Sequence, residues 1–172
     1  MTERDLDTFG AACRCLLRLR ENEGAPYLSD GEFVARYLPR FPAWAERPGE
    51  VDDEGLLVVA KGLGLADEIE VTRDYGRVLA AHRAGCSVLV RTLRAPRQAA
   101  AEAAPHEYTA LLVTMDETHF RIWCPFVSGH SDLLPEAGRV WWEAWGSSGL
   151  VLRRRRASRP LAAVASPEKI PV

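Results

Sequence analysis

The chain has 172 residues, 47% of them apolar and 27% charged, which is the composition of one globular unit and excludes a disordered or fibrous protein. A formal charge of −2 excludes a whole-surface basic nucleic-acid binder. No apolar run approaches the roughly 18–20 residues a membrane span needs, and the polar, acidic start MTERDLDTFG lacks the basic and apolar regions of a cleavable signal. The expected location is cytoplasmic, or exported without such a signal. The four cysteines (Cys13, Cys15, Cys86, Cys124) are then expected as free thiols.

In chain order, FGAACRCLLRLREN (9–22) repeats apolar residues at spacings of three and four, the period of an amphipathic helix. Its inward face comprises Ala12, Cys13, Leu16 and Leu17, and Gly24 is its stop. Ser29 caps a second helix with Phe33, Val34, Tyr37 and Leu38 inside, ended by Pro39. Residues 39–50, with three prolines and a glycine, read as a loop. A third helix runs from about Asp52 to Leu63, EIEVTR is a short strand, and a fourth helix lies around Tyr75–Ala84 before Gly85.

From there the period falls to two. CSVLVRTL, YTALLVTMD and HFRIWCP read as strands, the last two joined by a tight Asp116-Glu117-Thr118 turn, and GLVLRR as a closing strand. Residues 94–105 read as a surface excursion, and residues 157–172 as a flexible tail following a unit of residues 1–156. Helices first and an antiparallel sheet after them make an α+β chain.

The order of these segments resembles the papain-like fold, in the branch of double-glycine bacteriocin-processing peptidases. RAGCSVLVRTL resembles the strand before the catalytic histidine and HEYTALLV, from His106, the histidine strand. FRIWCPFVSG resembles its hairpin partner, which in the family carries Asp-Pro, and EAWGSSGLVL the closing segment. The resemblance covers roughly residues 3–153 and implies a papain-like architecture, helices packed on an antiparallel sheet.

It also implies a degraded catalytic set. Aligning FGAAC on the family's Cys-Gly helix start puts Phe9 at the nucleophile, Glu3 at the oxyanion glutamine and Cys124 at the orienting aspartate, leaving only His106. A thiol peptidase needs a thiolate at a helix start, a histidine within reach, a group fixing its tautomer, and a neutral oxyanion donor. Phenylalanine cannot attack a carbonyl, and an ionised glutamate cannot donate to an oxyanion. The expectation is a non-catalytic domain that binds a peptide or protein partner, as relatives without the nucleophile are used to dock secreted substrates.

Two alternatives stay open. A one-turn shift of the alignment would make Cys13 the nucleophile of an active peptidase or acyltransferase, with His106 as base and Asp116 as a possible orienting group. The chain could also serve as a structural or regulatory subunit.

The C-x-C of Cys13 and Cys15 is poor geometry for a metal, so no metal or other cofactor is expected, and the thiols read as core residues. His82, His119 and His130 read as surface residues, and Arg153–Arg156 as a solvated edge rather than a nucleic-acid site. VWWEAW is an aromatic helical turn whose adjacent Trp141 and Trp142 cannot both face inward. An interface there is the functional alternative to core packing.

Overall fold

The structure is a computed structural model, and it describes residues 10–40, 52–92, 108–123, 130–131 and 138–155. Its first three helices are α1 (Gly10–Asn22), α2 (Asp30–Tyr37, followed by a 3₁₀ turn at Leu38–Arg40) and α3 (Asp53–Gly62). Strand β1 (Glu68–Thr72) and helix α4 (Tyr75–Arg83) follow. After them come β2 (Ser87–Thr92), β3 (Tyr108–Met115), β4 (Phe120–Trp123), β5 (His130–Ser131), α5 (Gly138–Ala144) and β6 (Ser148–Arg153).

Local chemistry sets the helix ends. Ser29 and Glu32 form a reciprocal capping box: the Glu32 carboxylate accepts from the Ser29 amide at 2.9 Å, and the Glu32 amide donates to the Ser29 hydroxyl at 3.3 Å. The Asp52 carboxylate accepts from the Gly55 amide at 2.7 Å, and that of Asp74 from the Arg77 amide at 3.2 Å. Helix α1 closes with the Ala25 amide on the Arg20 carbonyl and the Gly24 amide on that of Glu21, the paired bonds of a Schellman motif. Gly24 takes φ +75°, which a side chain resists. The same pair of bonds ends α3, α4 and α5.

Among the described residues, six strands form one antiparallel sheet in the order β1-β6-β2-β3-β4-β5. The closing strand β6 inserts between β1 and β2, with Leu150 opposite both Val71 and Leu89. Residues of β2, β3 and β6 are buried on both faces, which is why those segments read as continuous apolar runs rather than strict alternation. Leu89, Leu111, Leu150 and Leu152 point to one face, where they meet Cys15, Leu16 and Leu19 of α1, Phe33 and Tyr37 of α2, and Leu56 and Val59 of α3. Val88, Val90, Ala110, Leu112, Ile122 and Val151 point to the other, beneath Tyr75, Val78 and Leu79 of α4 and Trp142 of α5. Helix α4 comes so close to β6 that a Cβ on Gly149 would sit 2.5 Å from Val78 Cγ2.

The α+β class expected from the sequence is thus the observed one, as are the hairpin at Asp116 and the stops at Gly24 and Gly85. The arrangement is less segregated than expected, because α4 and α5 cover a second face of the sheet. Leu16 is fully buried as expected, whereas Leu17 is only half-buried. The Arg153–Arg155 run is tied down: Arg153 bonds Glu70 through Nε at 2.8 Å and Nη2 at 2.6 Å, and Arg154 pairs with Glu23. Of the loop expected at 39–50, Pro39 and Arg40 belong to the 3₁₀ turn and residues 41–50 lie outside the described residues, as do the excursion at 94–105 and the tail at 157–172.

Candidate functional site

Helix α1 lies along β3 in the same chain direction. Cys15 Sγ is 3.9 Å from the Thr109 carbonyl near the start of the strand. Further along, Leu19 and Asn22 share a cavity with Leu111 and Val113. The first half of α1 therefore lies beside the start of β3, and its second half beside the middle of that strand. Phe9 immediately precedes α1, and His106 precedes β3 by two residues. Phe9, Glu3, His106 and Cys124 themselves lie outside the described residues.

Cys13 and Cys15 are both fully buried, although they sit about 200° apart around the helix. Both are covered because α1 is packed between the sheet on one side and the other helices on another. Burial pushes the Cys13 thiol far above its ordinary pKa. That is the reverse of what a nucleophile needs: Cys13 is one turn inside the helix, desolvated, with no exposed approach. Its surroundings are those of a small core residue.

Asp116, weighed as an orienting group, occupies the β3–β4 turn. It accepts from the amides of Thr118 and His119 at 2.7 Å each, and these donors hold its carboxyl below the usual carboxylate range. It follows Met115 at the far end of β3, on the order of 23 Å from Tyr108 at ~3.3 Å per residue. Its role is to close the hairpin, and it stands away from the strand start that His106 precedes.

The aromatic turn divides as its phase requires. Trp142 is 1% exposed and donates from Nε1 to the Arg73 carbonyl at 2.6 Å, in edge-on contact with Tyr75 and Phe120. Trp142 is therefore a core residue here, not the surface anchor that the sequence allowed for. Trp141 is half-buried, edge-on to Trp145 at 4.2 Å between ring centroids, beside an exposed Val140.

One cavity was not foreseen. The β2–β3 pairing stops at Leu89 opposite Leu111, although β2 begins at Ser87 and β3 continues to Met115, and β3 bulges between Leu112 and Thr114. Where the strands part, a cavity of about 330 Å³ opens between the end of α1 and the end of α4. Arg18, Asn22, His82, Cys86 and Ser87 supply its polar wall, and Leu111, Leu112 and Trp123 its apolar one. Cys86, expected in the core, is half-buried on this wall, and so is His82, expected on the surface. Burial lowers the His82 pKa and favours the neutral ring. The lining comes from four separated stretches of the chain, so no local pattern could have announced it.

Among the described residues no group of histidine, cysteine and acidic side chains is placed to hold a metal, and no helix is long and apolar enough to cross a membrane. No family model, curated protein or solved structure matches the chain.

Proposed function

We propose that the chain is a non-catalytic papain-like domain that holds an extended peptide or protein partner at the end of the sheet where α1 and β3 begin. The observation that carries this reading is the packing of α1 along β3 in the same chain direction, marked by the contact between Cys15 Sγ, midway along the helix, and the Thr109 carbonyl at the start of the strand. A thiol peptidase places its nucleophile at a helix start and its histidine at a strand start, and the resemblance assigns Phe9 and His106 to those positions. The burial of Cys13 and its raised pKa favour the non-catalytic form over the one-turn shift. An extended partner would contribute main-chain bonds along a strand and side chains to the cleft. Trp141, half-exposed beside Val140, is a second candidate contact for a protein partner.

Putting a nucleophile back tests the placement. In Phe9→Cys the new thiol should react with iodoacetamide at pH 6 much faster than an ordinary thiol of pKa about 8.5, and His106→Ala in the same chain should abolish the gain. Ordinary reactivity in Phe9→Cys would remove the papain-like reading. Peptides selected on the immobilised wild-type protein should lose binding to His106→Arg, which puts a bulkier cation at the proposed cleft, and keep it with Trp141→Ala.

A further inference from the structure

We propose that the cavity between the parted ends of β2 and β3 binds a small amphipathic carboxylate, its head on the Arg18 guanidinium and its apolar body against Leu111, Leu112 and Trp123. The site is separate from the cleft proposed above: it meets the last turns of α1, whereas the cleft lies where α1 begins.

Size sets the first limit. A volume of about 330 Å³ lies at the lower end of the range for small-molecule pockets. At ~30 Å³ per water it equals about eleven waters, room for an organic molecule of roughly ten non-hydrogen atoms.

The wall sets the chemistry. Among the described residues, Arg18 is the one fully charged side chain lining the cavity, and no carboxylate lines it. Its guanidinium carbon stands 5.9 Å from the centre of the Trp123 ring, so the charge sits at the border between the polar and apolar walls. An amphipathic ligand needs that juxtaposition. Asn22, Ser87 and the neutral His82 ring add hydrogen-bonding groups.

Two features oppose an anion, and both are weaker than the guanidinium. Arg18 already pairs with Glu21 at 3.3 Å, but the two side chains are 44% and 37% exposed, and such a pair is readily exchanged for a better-enclosed carboxylate. The C-terminal ends of α1 and α4 also approach, each with a partial negative charge. Their Schellman bonds meet the carbonyls of Arg20, Glu21, Ala81 and His82 with N–H groups, which leaves a whole positive charge facing blunted partial ones.

Cys86 makes the test direct, because it lines the cavity while Cys13 and Cys15 are fully buried. In a Cys124→Ser background, octanoate should slow iodoacetamide labelling of Cys86 in a saturable way, whereas octanol, octylamine and acetate should do so far less. Arg18→Met, at an exposed position and with the stem preserved, should melt near wild type yet bind octanoate roughly tenfold more weakly, as loss of a charged hydrogen bond implies. Calorimetry of the same four compounds gives the same ranking independently of thiol reactivity. Equal protection by octanol or octylamine, no saturable binding of octanoate, or unchanged affinity in Arg18→Met would each overturn the proposal. None of these outcomes bears on Phe9→Cys reactivity, so the two sites stand or fall separately.

Discussion

The two faces of the sheet are built differently. On one, three helices bring leucine, valine, cysteine and two rings in tilted contact, Phe33 and Tyr37, against Leu89, Leu111, Leu150 and Leu152. The apolar area is shared among many side chains, and almost none has a polar handle. On the other, α4 and the seven-residue α5 cover a layer of valine, alanine and isoleucine, and the packing centres on the edge-on trio of Tyr75, Phe120 and Trp142. That trio is also pinned by hydrogen bonds. Trp142 donates to the Arg73 carbonyl, and the Tyr75 hydroxyl lies 2.8 Å from the Asp116 carbonyl and 3.1 Å from that of His119. A face covered by little helix is held by a few large aromatic groups with fixed orientation, whereas a face covered by three helices distributes the same work.

The largest expected effect follows from that concentration. Trp142→Ala should destabilise the protein by about 3–5 kcal/mol in chemical denaturation, since it removes the ring on which Tyr75 and Phe120 pack and leaves the Arg73 carbonyl without its donor. A loss below about 1 kcal/mol would show that the second face is not centred on this ring.

Leu16→Ala, at a fully buried position of α1, should cost about 2–5 kcal/mol. The contrast with Trp142 is sharpened by the neighbouring site: Leu17→Ala, half-buried, should cost clearly less than Leu16→Ala in the same measurement. Equal losses would mean that α1 presents a different face to the sheet.

Tyr75→Phe keeps the ring and removes only its hydroxyl, so about 1 kcal/mol is expected. In the wild type, burial first and the Asp116 charge second push the Tyr75 pKa up to about 12. The hydroxyl therefore stays protonated through neutral pH, and the cost of Tyr75→Phe should be flat from pH 6 to 9. A cost that varied across that window would place an ionising group at the hydroxyl.

The smallest effect lies at the sheet edge. Hydrogen bonding to Arg153 holds the Glu70 carboxyl below the usual carboxylate range, with Arg77 adding attraction. A depressed carboxylate stabilises the fold above its unfolded pKa and loses that contribution as pH falls through the folded value. Glu70→Gln should therefore cost less than about 1 kcal/mol at pH 7, given the partial exposure of both partners, and nothing in strong acid. A cost that persists in acid would assign the effect to packing rather than charge.

Legibility followed the range of the interactions. The helix of residues 10–22, its glycine stop and the Ser29 cap were readable because each depends on groups within about five residues of one another. The Asp116 turn was readable for the same reason: its carboxylate bonds amides two and three residues on. At VWWEAW the phase showed that the two tryptophans must diverge, but not which one turns inward. That choice fell to Trp142 because the Arg73 carbonyl and the Tyr75 ring, some seventy residues earlier, lie on its side of α5.

Composition and periodicity by themselves determined the α+β class, the principal helices and strands, and the character of Cys13 and Cys15 as small apolar residues. Those properties rest on local hydrogen bonds and on which side chains avoid water, and both are written in neighbouring residues. Tertiary structure alone decided that β6 enters between β1 and β2, that helices cover both faces, and that β2 and β3 part beyond Leu89 and Leu111. It also decided that Arg18, His82 and Cys86 meet around one cavity. Strand order and strand parting are set by the competition among distant partners for the same edges and core volume, and no window of the chain contains both competitors.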